Sequence, residues 1–352
     1  METFTVDTSR IVTHCWAWGP PDAEPVLLVH GNLTTGRFWK RVGELLSDTY
    51  RVVAPDMRSF GRTEKKAVDA RRGVRDWSDD LRALVERLEW AERGAIHLGG
   101  WSMGGSIAQQ YAIDHPADLA SITLLAPVSP YGFGATKDVE GTPTAADFAG
   151  SGGGTAAPDF VRRLAARDYS EEEPLSSVPV VMRTYFWSPN YNAPDERELL
   201  DEVMTTVVGD AFYPGDALPS SSWPLVAPGE SGVLNALSAK WCDTSAIAEI
   251  EPKPPILWIR GDEDPVISDA SLFDFGQLGK LGAVPGWPGE GVYPPQPMIG
   301  QIRAVLERYR ANGGRFQEAV LERGGHGPLI ERAEETARLI RDHIAASRPV
   351  GT

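Results

Sequence analysis

Cysteine is nearly missing from this 352-residue chain. Cys15 and Cys242 are its only two, too few for a disulfide framework and not set with histidine at metal-ligand spacing. Positive charge is also short, with 34 Lys and Arg against 49 Asp and Glu and a formal net charge of −15. A nucleic-acid binder needs a basic footprint against phosphates, and an anionic membrane surface attracts basic segments. Neither partner is expected. No apolar run approaches the ~18 residues that span a bilayer. The opening residues Met1-Glu2-Thr3-Phe4-Thr5-Val6-Asp7 have no basic stretch followed by an apolar one, so no signal peptide is expected. The expectation is a soluble, cytoplasmic protein in a reducing compartment.

What is present is ordinary globular material, 42% hydrophobic and 24% charged. The length suits two domains, or one with a sizeable insertion. Short apolar runs alternate with helical periodicity through the first half. Pro25–Val29, Tyr50–Ala54, Ala95–Gly99 and Ser121–Leu125 read as strands. Phe38, Val42, Leu45 and Leu46 recur at helical spacing between them, as do Leu81, Leu84, Val85 and Leu88. Continuous apolar strands alternating with helices predict a mostly parallel, doubly wound α/β sheet covered on both faces. The rhythm stops near Ser129 and resumes at Pro255–Ile259. It continues through a helix at Ile302–Tyr309, a strand at Phe316–Leu321 and a last helix at Leu329–Ala345. Residues 1–128 and 253–352 therefore form the expected core, and 129–252 an inserted, mainly helical cap. Residues 276–297, dense in Gly and Pro, form an additional loop at the site's edge.

Gly100-Trp101-Ser102-Met103-Gly104 is a G-x-S-x-G match between a predicted strand and a predicted helix, the setting that motif requires. A sharp strand-to-helix turn would lift the Ser102 hydroxyl above the sheet edge, and the flanking glycines remove side chains that would collide there.

With this motif the chain resembles the α/β-hydrolase superfamily, over about Phe4–Val128 and Pro254–Ala345. The resemblance implies a serine nucleophile at Ser102 with a histidine base. His326, in Gly324-Gly325-His326-Gly327-Pro328, holds the loop position after the last strand where the superfamily places that base. It also implies an orienting carboxylate after the Pro255–Ile259 strand. The pattern Gly-x-x-Asp-x-x-Val/Ile fits Gly261 to Ile267 and selects Asp264, with Asp262 the local competitor and Asp56 the remote one. Chain order is then Ser, Asp, His. Oxyanion donors are expected from the Met103 amide and from His30-Gly31-Asn32-Leu33, where Asn32 is nominated and Leu33 is the runner-up. Asp56 to Thr63 resembles a family turn and reads as structural.

A cap in this fold closes over the substrate. Trp101, Tyr185, Trp187 and Trp287 are the expected pocket walls. The reading is a metal- and cofactor-independent serine hydrolase that cleaves a carboxylic ester or lactone of a small-molecule, largely apolar and neutral substrate. C–C hydrolysis of a β-diketone or vinylogous acid is the alternative within the enzyme class. A low-turnover ligand receptor on the same fold is the alternative outside it. Residues 129–252 hold 7 Lys and Arg against 19 Asp and Glu, so most of the net charge sits in the cap. Either its outer face is simply solvated, or its acidity disfavours anionic substrates.

Overall fold

In the computed structural model the described residues are 1–90, 94–189 and 191–348. Eight strands form one sheet: β1 (Glu2–Asp7), β2 (Val12–Trp18), β3 (Glu24–Val29), β4 (Tyr50–Pro55), β5 (Ile96–Trp101), β6 (Leu119–Leu125), β7 (Ile256–Gly261) and β8 (Phe316–Leu321). Their spatial order is β1-β2-β4-β3-β5-β6-β7-β8. β1 pairs with β2, and β2 with β4, antiparallel; all other pairings are parallel. The N-terminal hairpin thus caps one edge of a parallel sheet. Every residue of β4 and β5 is buried, which a parallel sheet requires because helices cover both its faces.

The helices α1 (Lys40–Leu46), α2 (Arg75–Arg87) and α3 (Met103–Asp114) follow β3, β4 and β5 in turn. The described residues of 129–252 contribute no strand to the main sheet. They hold α4 (Pro158–Ala165), α5 (Val178–Tyr185) and α6 (Glu196–Val203), a four-residue helix Val233–Ala236, and two small two-stranded sheets. This segment is less helical than its sequence suggests. Glycines with left-handed φ, such as Gly150, Gly152, Gly215 and Gly232, turn the chain too often for long helices. Near its end, Ser245–Glu249 packs against α3 and against the later helix that precedes β8, so this stretch serves the return to the sheet.

Beyond β7 come α7 (Phe275–Lys280), α8 (Met298–Ala311) and α9 (Ala333–Ser347). The expected final helix is broken: a short turn Pro328–Glu331 precedes α9, and Arg332 between them has φ −131°. α1 packs with α9, while α3 packs with α2. Cys15 and Cys242 are both free and buried. Among the described residues, no helix is long and apolar enough to cross a membrane.

Candidate active site

Parallel strands carry the loops at their carboxyl ends, and a site forms where several such loops meet. Four of them meet here. β3 pairs with β5 so that Val29 faces Gly100, and β7 pairs with β8 so that Gly261 faces Leu321.

Ser102 sits between β5 and α3 with φ 55° and ψ −116°. This left-handed conformation is strained for a residue with a side chain. It is over-determined by its surroundings. The Ser102 N–H donates to the Leu125 carbonyl (3.0 Å), and the Ser102 carbonyl accepts from Gly105 N–H (2.9 Å) and Val128 N–H (3.2 Å). The glycines are steric requirements. A Cβ on Gly100 would lie 2.0 Å from the Gly104 carbonyl oxygen, and one on Gly104 would lie 2.3 Å from the Val29 carbonyl oxygen.

His326 and Asp264 leave β8 and β7 on loops that nearly touch. A Cβ on Gly261 would lie 2.0 Å from the Gly324 carbonyl oxygen, and only glycine allows that approach. The His326 Nδ1–H donates to Asp264 Oδ2 at 2.9 Å, with both residues buried. Asp264 Oδ1 accepts from the Val266 (2.7 Å) and Ile267 (2.9 Å) amides. Both carboxylate oxygens are therefore committed, and the imidazole is left with Nε2 as its free nitrogen. Asp56, the remote alternative, is held elsewhere. It accepts from His14 Nδ1–H (3.0 Å), the Trp16 indole N–H (2.9 Å) and the Gly36 and Arg62 amides (each 2.9 Å). These bonds lower its pKa against the upward push of burial.

The loop after β3 is organised by His30. Its Nδ1–H donates to the Gly31 carbonyl (2.7 Å), and its Nε2 accepts from the Met57 amide (2.9 Å). One ring nitrogen donates and the other accepts, so the imidazole is neutral; burial depresses its pKa to about 4. The Gly31 carbonyl also accepts from the Thr34 hydroxyl (2.8 Å). In a trans peptide the N–H points opposite the carbonyl. Fixing the Gly31 carbonyl therefore turns the Asn32 N–H away from the His30 ring. Leu33, the runner-up, has a left-handed φ of 61°. The Met103 N–H opens α3 and lies outside that helix's own hydrogen-bond ladder.

Ser102, His326, Asn32, Leu33 and Met103 line one chamber of about 390 Å³. Trp101 and Tyr185 line it too, but Trp187 and Trp287 do not. Gly325 and Gly327 leave room that the backbone of Phe186 to Ser188 fills, and this draws Trp187 into the core, fully buried. Trp287 folds back on its own loop, packing on Gly279 and donating to the Tyr293 carbonyl at 2.8 Å. Of the 276–297 loop, only Leu278 reaches the chamber.

Three contributors have no signal in the sequence. Phe38 stacks on Trp101 with ring centroids 5.8 Å apart. The Glu331 carboxylate accepts from the Gly325 (2.6 Å) and Ser188 (2.8 Å) amides, joining the His326 loop to residues 186–188. Glu202 on α6 accepts both guanidinium N–H groups of Arg62 (3.0 and 2.9 Å) and the Thr35 hydroxyl (3.0 Å). The neighbouring pairs Arg37–Glu198 and Arg41–Asp195 complete a clasp between α6 and the core. No Asp or Glu is among the chamber's lining residues. Among the described residues, no three His, Cys, Asp or Glu side chains gather as a metal-binding group.

A model of the alpha/beta hydrolase family matches residues 26–339. The non-heme chloroperoxidase of Streptomyces lividans is 32% identical over 127 residues, 36% of this chain and 45% of that protein. Lipase 1 of Psychrobacter immobilis is 33% identical over 121 residues, 34% of this chain and 36% of the lipase. The chain thus spans under half the length of these curated relatives. Among solved structures, the bromoperoxidase of Bacillus anthracis superposes with a TM-score of 0.62 at 17% identity, covering 98% of this chain and 100% of that one. That likeness concerns the fold.

Proposed function

Because the chain belongs to the alpha/beta hydrolase family, we propose that it is a serine hydrolase acting on carboxylic esters or lactones through an acyl-enzyme. Ser102 Oγ attacks the carbonyl carbon and its proton passes to His326 Nε2. Asp264 holds the Nδ1–H tautomer and stabilises the imidazolium. The Asn32 and Met103 amides stabilise the oxyanion, each worth roughly 10²–10³ in rate. His326 then protonates the leaving alcohol, and water cleaves the acyl-enzyme by the same steps. The observation that carries this reading is the 2.9 Å His326–Asp264 bond in a loop beside a serine held at φ 55°. The fold in outline also matches carboxylesterase CesB of Bacillus subtilis, with a TM-score of 0.61 at 15% identity.

The chamber supports the substrate class. Its walls are chiefly aliphatic and aromatic and carry no carboxylate, which suits a neutral, apolar molecule. At about 390 Å³ it falls in the size range of small-molecule pockets. Residues 129–252 act as the cap, since Phe133, Phe160, Tyr185 and Leu237 all line the chamber.

A fluorophosphonate probe should label the wild type and leave Ser102→Ala unlabelled. Equal labelling of both removes Ser102 as nucleophile. A panel of short esters, lactones and β-diketones reads the reaction: turnover of the diketones alone replaces ester hydrolysis with C–C hydrolysis. Tight binding without product points to a receptor.

A further inference from the structure

The polar groups of the chamber can be accounted for one at a time. Ser102, His326 and the Asn32 amide are assigned to the chemistry. The Thr155 hydroxyl donates to the Gly152 carbonyl at 2.7 Å. Tyr185 is half-buried with its ring edge-on to Phe273 (4.8 Å), and Phe273 is 40% exposed, so Tyr185 stands where water reaches it. Tyr213 remains. It is 5% exposed, lines the chamber, and its hydroxyl bonds to no protein group among the described residues.

The residue is buried but its oxygen is not wholly enclosed, so the partner that a hydroxyl normally has must come from what fills the cavity. Among the enclosed orphaned polar atoms, Trp39 Nε1 and Trp258 Nε1 belong to residues outside the chamber lining, while Asn32 Oδ1 belongs to a lining residue but is itself sealed from the cavity. Tyr213 differs in meeting a cavity large enough for a ligand. Its backbone is also fixed. The Tyr213 N–H donates to the Val207 carbonyl (3.1 Å), and the Val233 N–H donates to the Phe212 carbonyl (2.8 Å). A Cβ on Gly232 would lie 2.4 Å from the Phe212 carbonyl oxygen, so the chains close tightly around this residue. A donor held this way gives up little freedom when it binds. Burial alone raises the phenol's pKa, so it remains a protonated donor at physiological pH.

We propose that the Tyr213 hydroxyl donates a hydrogen bond to the substrate, which therefore carries a second oxygen acceptor, a ketone or ether, in its otherwise apolar part. This rests on the ester-hydrolase reading and narrows it from any apolar ester to an oxo- or alkoxy-substituted one. The scissile carbonyl is served by the backbone amides, so Tyr213 acts on selectivity between substrates.

The test is a set of esters of constant chain length in which one methylene is replaced by a ketone or ether oxygen, stepped along first the acyl and then the alcohol chain. One position should exceed its plain alkyl counterpart in kcat/KM by about tenfold, the scale of one neutral hydrogen bond. In Tyr213→Phe, which removes only the oxygen, that ratio should fall to near one. Two results overturn the proposal: no position exceeding the alkyl ester in the wild type, or a ratio that survives the substitution. The first is read on the wild type alone, so it stands whatever the variant's stability. A wild type that hydrolyses no member of the set overturns the ester reading together with this one. Brisk hydrolysis of the plain esters without preference overturns this one only.

Discussion

The indole N–H of Trp101 donates to the backbone carbonyl of His326 across 2.7 Å. The residue beside the proposed nucleophile thereby holds the loop of the proposed base. The two rings also pack with centroids 5.5 Å apart. Trp101→Phe keeps most of the apolar body and loses the N–H. The loop should then place His326 less well, lowering kcat by about tenfold, while the void and the unpaired His326 carbonyl cost about 2–4 kcal/mol in stability. Steady-state kinetics beside urea denaturation check this; a loss of stability with kcat unchanged would show the bond to be structural alone.

Asp264 makes a second prediction because its two oxygens have different partners. Two backbone amides hold Oδ1. In Asp264→Asn the amide oxygen should keep that side, turning the NH₂ toward His326 Nδ1. The imidazole is then forced to accept at Nδ1 and to carry its proton on Nε2, where a base needs a lone pair. A fall in kcat of about 10³–10⁴ is expected, the scale known for this change in serine proteases. Activity within tenfold of the wild type would return the role to Asp262.

Asp274 gives a pH-dependent stability. It caps α7, its Oδ2 accepting from the Gln277 (3.2 Å) and Gln296 (3.1 Å) amides, while Oδ1 is buried without a partner. Burial raises its pKa from 3.8 to about 6. The folded state thus prefers the protonated acid. That advantage is complete below about 3.8 and is lost as pH rises through about 6. Asp274→Asn carries no such cost and should gain on the wild type between pH 4 and pH 8 by on the order of 1–3 kcal/mol. Thermal melts of both proteins at the two pH values decide it, and a difference independent of pH refutes it.

Glu202 links α6 to the core through Arg62 and Thr35. Glu202 is buried while Arg62 is half-exposed, so solvent screens the pair in part. Glu202→Ala should cost about 1–2 kcal/mol. It should also raise KM, because α6 belongs to the segment proposed above as the cap. Melting temperature and KM measured together check this, and a lower melting temperature with KM unchanged would separate the clasp from the roof.

The parallel strands and the sharp turn at Ser102 are legible in the sequence because each rests on local signals: β-branched runs, breakers and flanking glycines. β8 matches its expected span of Phe316–Leu321 to the residue. Pocket walls were less legible. Trp187 and Trp287 have the size and position of pocket walls, yet whether an aromatic faces a cavity depends on what fills the space behind it. For Trp187 the deciding feature is two glycines, Gly325 and Gly327, more than 130 residues away along the chain. Nothing near Tyr213 in sequence shows that its hydroxyl lacks a partner. The broken last helix turns on Arg332, an ordinary helix former by composition.

The absence of carboxylates from the chamber wall bears on how the cap's two surfaces can change. None of its 19 Asp and Glu lines the chamber, and three of them, Glu198, Asp195 and Glu202, fasten α6 to Arg37, Arg41 and Arg62. Its chamber side is chiefly apolar, with the Tyr213 hydroxyl a polar exception. Part of the charge on this segment is therefore a fastening. The outer surface, those three residues apart, can be recoded without altering the chamber wall, and the wall can be reshaped without disturbing these ion pairs.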